Sequence, residues 1–235
     1  MNSRYIETAV ALLEELDRAE AGHIKEAGDL IADSLTAGGI MITFGSGHSL
    51  VGAKEVVDRA GGLFQAKMIR DPSDGAFEKL EGSGLCLLRK VQILPEDVVI
   101  IISNSGRNPA GIEIALAAKE RGAKVIAVTA LESSMGLPSR HSSGKKLYEI
   151  ADVILDLHTV PGDAAMEVEG LDAKICGTST IATVALLQSA VLSATETMVS
   201  RGYIPEVRIS ANVDSAPANR SALIEQKYAD RIYRI

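Results

Sequence analysis

Two short stretches bring together the residue types that bind anions. Residues 44–49 read FGSGHS directly after the apolar GIMIT, and residues 100–111 read IIISNSGRNPAG within the run that begins DVVIII. In each, a buried strand is expected to end in hydroxyls and glycines, and a helix to follow. The first turn of a helix has N–H groups without an intrahelical partner, so an anion such as phosphate is stabilised there. Ser46 and Ser49 are the candidate phosphate ligands of the first loop, with Gly47, and Arg59 beyond it, as further substrate-binding candidates. Ser103, Asn104, Ser105 and Asn108 are those of the second, with Asn108 expected as N-cap and Pro109 in the first turn.

A dinucleotide site is the main rival, because Gly45 and Gly47 follow the first sheet strand and Asp71 ends the second. It fails at the third glycine, where position 50 is Leu. A P-loop is excluded, since no GKS or GKT exists.

Apolar runs predict strands at 39–44, 63–69, 97–103, 123–130 and 152–157, with helical patterns between most of them. This alternation predicts an α/β fold: three layers, with a five-stranded, mainly parallel sheet flanked by helices. One domain is expected over 1–235, with a helical N-terminal extension at 1–37, an α/β core at 38–200 and a tail with a final helix at 201–235. Residues 175–195 carry no charge and extend a helix expected from about 177 to 200; they fit a buried or subunit-interface helix better than a membrane span.

Acidic residues outnumber basic ones 31 to 24 without a Lys/Arg cluster, so no nucleic-acid partner is expected. Cys86 and Cys176 show no CxxC spacing and read as reduced core thiols of a cytoplasmic protein. Neither metal nor cofactor is expected: His23, His48, His141 and His158 lack HxH or HxxxH spacing.

The loops FGSGHS and SNSG resemble those of the SIS (sugar isomerase) family of phosphosugar-binding domains, with matching order over residues 20–200. A bacterial branch of that family is more similar still, through SNSGRNP, SRHSSGKK, PGDAAMEVEG, GTSTIA and SANVD. The resemblance implies a SIS-type, flavodoxin-like sheet and a sugar phosphate as ligand. It also implies that Ser49, Ser103, Ser105 and Asn108 hold the phosphate, and that a homo-oligomer forms, a dimer or a dimer of dimers. Asn212, Asp214 and Asn219 of the SANVDSAPANR segment would then complete a neighbour's site.

Family isomerases and lyases both remove the proton at C2 of an opened sugar phosphate, which requires a positioned base. Glu55, six residues past Ser49, is one candidate, with Arg59 expected a turn further along the same helix; His48 lies in the loop itself. Glu167 and Glu169 follow the fifth strand, and Glu81 is a weaker substrate-binding candidate.

The chain departs from the better-known relatives at the decisive positions. The catalytic glutamate and metal-binding histidine of phosphoheptose isomerases fall at Arg59 and Glu55. The two catalytic glutamates of the N-acetylmuramic acid 6-phosphate etherases fall at Arg59 and Gly84, although SGRNP, EGSG and NRSALIEQK are similar to etherase segments. The isomerase half of glucosamine-6-phosphate synthase shares a helix start like TSTIA, with its base at Lys174. The expectation is a lyase of the dehydratase type acting on a sugar such as N-acetylglucosamine 6-phosphate. An aldose-ketose isomerase and a non-catalytic phosphosugar sensor stay open beside it.

Overall fold

A computed structural model describes residues 3–210, 212 and 218–232. Five strands form one parallel sheet: β1 (Met41–Gly45), β2 (Ala66–Met68), β3 (Val98–Ile102), β4 (Lys124–Thr129) and β5 (Val153–Asp156). Their order is β2-β1-β3-β4-β5. The helices are α1 (Arg4–Ala19), α2 (Ala21–Thr36), α3 (Ser49–Glu55), α4 (Ser83–Leu88), α5 (Pro109–Glu120), α6 (Leu131–Gly136), α7 (Ser179–Ser200) and α8 (Ala218–Ile232). An antiparallel pair, β6 (Ala164–Met166) and β7 (Ile175–Gly177), precedes α7.

The sheet is covered on both faces, and its central strand β3 is apolar at every position. Val99 and Ile101 of β3 turn to a cluster with Ile42, Ile112 and Ile114, while Ile100 and Ile102 turn to one with Ile31, Leu155 and Leu186. The period-2 alternation of a strand thus serves two cores, one under α5 and one under α2, α3 and α7. Full burial of each such side chain is worth about 1.5–3 kcal/mol.

Helix α7 is long and apolar enough to cross a membrane by length and composition. Here Ala182, Leu186, Leu187 and Ala190 are packed into the core, and a Cβ at Gly28 of α2 would come 2.5 Å from Ser193 Oγ on α7.

All five expected strands are found, and four details differ. The segment 63–69 keeps only Ala66–Met68 as strand, because Leu63 bridges antiparallel to Val207 instead. Residues 175–177 lie in β7 rather than in the uncharged helix. The helix expected to carry both Glu55 and Arg59 ends at Glu55. Cys86 and Cys176 are exposed free thiols rather than core residues: α4 turns Cys86 outward, and β7 is exposed along its whole length.

Candidate functional site

Strand order reverses between β1 and β3, and at such a switch point the loops leaving the two strands diverge to opposite faces and open a crevice. Both candidate loops leave there. In the first, a Cβ on Gly45 would lie 2.3 Å from Ser49 O, so only glycine lets the chain fold back so closely. Ser46 Oγ donates to Asp71 Oδ2 at 2.8 Å; Asp71 also accepts from Ser73 N at 2.9 Å and Gly75 N at 3.0 Å. Burial opposes ionisation of Asp71, but the hydrogen bonds from Ser73, Ser46 and Gly75 outweigh it and hold the carboxyl below its usual 3.8. Asp71 is therefore an ionised brace for the first loop.

In the second loop Ser103 Oγ accepts from Gly106 N at 3.2 Å, and Asn104 Oδ1 accepts from Thr159 Oγ1 at 3.1 Å. Gly106 has φ +59, and a Cβ there would come 2.6 Å from Ser134 Oγ. Among the described residues, the hydroxyls of Ser49 and Ser105 make no hydrogen bond.

Asn108 occupies the N-cap position of α5 with Pro109 next to it, as expected, but its side chain does not cap the helix. Instead Nδ2 donates to Glu78 Oε1 and Oδ1 accepts from Arg140 Nη1, each at 2.8 Å. The Ala110 N–H is also taken, by Glu78 O at 3.2 Å. The expected open helix N-terminus is thus partly closed by the segment after β2.

Two spaces adjoin the loops. The first, of about 10 Å³, is lined by His48, Ser49, Gly52, Asn104, Leu157 and the α7 residues Ser179, Thr180 and Thr183. The second, of about 550 Å³, lies between the 71–82 segment and α4, with Asp71, Pro72, Phe77, Glu78, Leu80, Glu81 and Leu87 in its walls. Glu78 stands between the loops, bonded to Asn108 and with the Ser46 hydroxyl beside it. Burial pushes its carboxyl above the usual 4.5, against the pull of Lys79, Ser46 and Arg140.

The other candidates are spread more widely. Exposed His48 lies at the lip of the small space. Glu55 pairs with Arg59 and accepts from Gln188 Nε2 at 3.2 Å, and it lines neither space. Glu81 accepts from Ser142 N at 2.5 Å and from Ser142 Oγ at 2.8 Å, bonds that hold its carboxyl below the ordinary value and tie down the 139–146 loop. Glu167, exposed like Glu169, lies 3.0 Å from Lys174 in the turn between β6 and β7. Of the tail residues, Asp214 and the Asn219 side chain lie outside the described residues; Asn212 is exposed.

Sequence reasoning missed Ser179, Thr180, Thr183, Thr159 and Glu78. The TSTIA run at a helix start was the available signal for the first three. Neighbouring Asp163 accepts from Ser179 N at 2.7 Å and from Ser179 Oγ at 2.7 Å, closing the α7 N-terminus. Past β5, His158 takes φ +48 and its Nε2 lies 2.9 Å from Oε1 of buried Glu20. Among the described residues no group of three or more His, Cys, Asp or Glu is arranged to hold a metal.

Known proteins share this architecture. The phosphoheptose isomerase GmhA from Neisseria gonorrhoeae superposes with TM-score 0.56 at 19% identity, over 81% of this chain and 95% of its own. A phosphoheptose isomerase from Francisella tularensis gives 0.57 at 16%, over 82% and 95%. Identities this low speak to fold. Among curated relatives, UPF0309 protein lmo0025 of Listeria monocytogenes is 49% identical over the full length of both chains. The SIS domain family model matches residues 4–130, which take in both strand-end loops and the switch point between them. The protein therefore belongs to the SIS domain family.

Proposed function

We propose that this protein is a sugar-phosphate enzyme that removes the C2 proton of a 6-phosphorylated amino sugar, with N-acetylglucosamine 6-phosphate as the representative substrate, and acts as a lyase of the dehydratase type. One observation carries the reading: two strand-end loops flank the switch point and leave the Ser49 and Ser105 hydroxyls without a partner in the described chain. Ser46, Gly47, Ser103, Asn104 and Asn108 complete the cradle, and His48 is the group nearest Ser49 for a sugar hydroxyl. Phosphate chemistry supplies the rest, because several uncharged donors bind an anion without net positive charge on the protein.

Aldose-ketose isomerisation is the second reading, favoured by the shared fold of the two phosphoheptose isomerases. Both reactions begin with the same proton. Exposed Leu192 and Val199 on α7 support a homo-oligomer, and no nucleic-acid or membrane partner is proposed; a cytoplasmic location fits a sugar-phosphate substrate.

The test is incubation with N-acetylglucosamine 6-phosphate, glucosamine 6-phosphate and fructose 6-phosphate in D₂O, followed by NMR. Loss of the C3 oxygen with a new unsaturated signal supports the lyase, and aldose-ketose interconversion with deuterium uptake supports the isomerase. Binding without exchange leaves a sensor and refutes both enzymes.

A further inference from the structure

We propose that Glu78 is the acid–base residue of this reaction and that the sugar ring occupies the cavity between the 71–82 segment and α4. The proposal rests on the sugar-phosphate reading above. Volume decides where a ring can go. The space beside Ser49 and Asn104, about 10 Å³, holds no more than a water. The cavity on the other side of the loops, about 550 Å³, falls within the range of roughly 300–1,000 Å³ usual for small-molecule sites.

The cavity is joined to the cradle by two residues of its wall. Asp71 and Glu78 are part of its wall, and they bond to Ser46 of the first loop and Asn108 of the second. In the proposed pose, a sugar whose phosphate is held by the loop hydroxyls passes Glu78 and enters this cavity. The carboxyl is half-buried and shares the cavity wall with Pro72, Phe77 and Leu87, and the charged groups acting on it are Lys79 on its own segment, Asp71 from the loop after β2 and Arg140 from the 139–146 loop. Burial dominates and raises its pKa, which makes the carboxylate a stronger base near neutral pH. Glu55, by contrast, is neutralised by Arg59 and faces neither space.

In the step, the Glu78 carboxylate takes the C2 proton, the C–H electron pair forms the C1–C2 double bond, and charge moves to the carbonyl oxygen. For elimination, the enolate expels the C3 oxygen with its bonding pair, and neutral Glu78 protonates it. Loss of a C3 hydroxyl thus yields water and an unsaturated sugar. For isomerisation, which requires a 2-hydroxyaldose, Glu78 returns its proton to C1 while the O2 proton passes to O1. Either route restores the carboxylate.

Glu78→Gln separates catalysis from bracing, because an amide oxygen still accepts from Asn108 Nδ2 and an amide N–H can donate to the Ser46 oxygen, whose own proton goes to Asp71. In D₂O wild type is expected to bind the three sugar phosphates and to exchange C2–H of the two aldoses, or C1–H of fructose 6-phosphate, whose C2 is the carbonyl carbon. The variant should bind within about threefold by calorimetry and lose exchange by about 100-fold or more, as removal of a general base does. Glu78→Asp should recover part of the exchange rate, and the acid limb of the wild-type pH profile should lie above 4.5. Exchange by Glu78→Gln at the wild-type rate overturns the assignment and leaves the cradle intact. Binding lost in parallel with exchange also overturns it, since Glu78 is then a brace. A wild-type protein that binds none of the three overturns the sugar-phosphate reading and Glu78 with it.

Discussion

Thr159 Oγ1 donates to Asn104 Oδ1 across 3.1 Å, so the residues after β5 set a side chain in the loop after β3. Thr159 is buried, and valine replaces it with the same shape but without the donor. Thr159→Val is expected to weaken N-acetylglucosamine 6-phosphate binding about fivefold, the equivalent of roughly 1 kcal/mol for one hydrogen bond. Calorimetry that shows unchanged affinity would remove Asn104 from the cradle.

Ser105 should matter for the phosphate alone. Its hydroxyl has no partner in the described chain, so Ser105→Ala leaves folding unaffected and removes one charge-assisted bond to the ligand. Such a bond is worth about 1.5–3 kcal/mol, and affinity for the phosphorylated sugar is expected to fall about tenfold or more. N-acetylglucosamine, which lacks the phosphate, serves as control. Equal weakening of both ligands would contradict a phosphate contact.

Two glycines of the first loop predict a contrast. A methyl group at Gly45 meets Ser49 O at 2.3 Å, a backbone atom that moves only with the loop. At Gly47, φ +56 is left-handed but nothing lies within 4 Å of the added carbon. Gly47→Ala should therefore destabilise by about 1–2 kcal/mol and keep ligand binding, while Gly45→Ala should abolish binding. Urea titration beside calorimetry measures both, and equal effects would refute the argument.

His158 ties the end of β5 to the corner between α1 and α2. Burial disfavours its charged form, but the Glu20 hydrogen bond and the carboxylates of Asp156, Glu20 and Glu15 outweigh this and raise its pKa above 6.5. A raised folded-state value means that this stabilisation is fully present below pH 6.5 and is lost as the pH rises through the folded value. His158→Asn keeps a residue that tolerates φ +48 and removes the titration. The fall in melting temperature between pH 6 and pH 8.5 should be smaller in the variant than in wild type. An identical pH dependence would show that the pair contributes nothing.

The sheet was legible because its strand segments are largely apolar, VVIII of β3 on both faces, and such runs have few places to go except a covered parallel sheet. Both strand-end loops were legible for a related reason: Gly45 and Gly106 are required by backbone approach and φ, and glycine in a strand-end loop announces such a need. Glu78 was not legible. In FEKLEG it is one charged residue among several, and its proposed role comes from the segment after β2 crossing to Asn108, a long-range contact with no local signature. Glu55 looked better placed than it is because the helical spacing to Arg59 predicted a pair on a longer helix. The pair forms, but α3 stops at Glu55 and the carboxylate faces its cation rather than a cavity. The β6–β7 turn carrying Glu167 and Glu169 gave no strand pattern, since its short strands are scarcely buried.

The β1–β3 pairing joins residues more than fifty positions apart, Met41 to Val98 and Gly45 to Ile102, and both strand-end loops hang from its end. An unfolded chain holds those loops far apart, so a ligand that needs both has affinity for the native state only. By mass action, a sugar phosphate at a hundred times its dissociation constant then adds about 2.7 kcal/mol to unfolding. Heat resistance of the protein in a cell would accordingly rise and fall with the concentration of its own substrate.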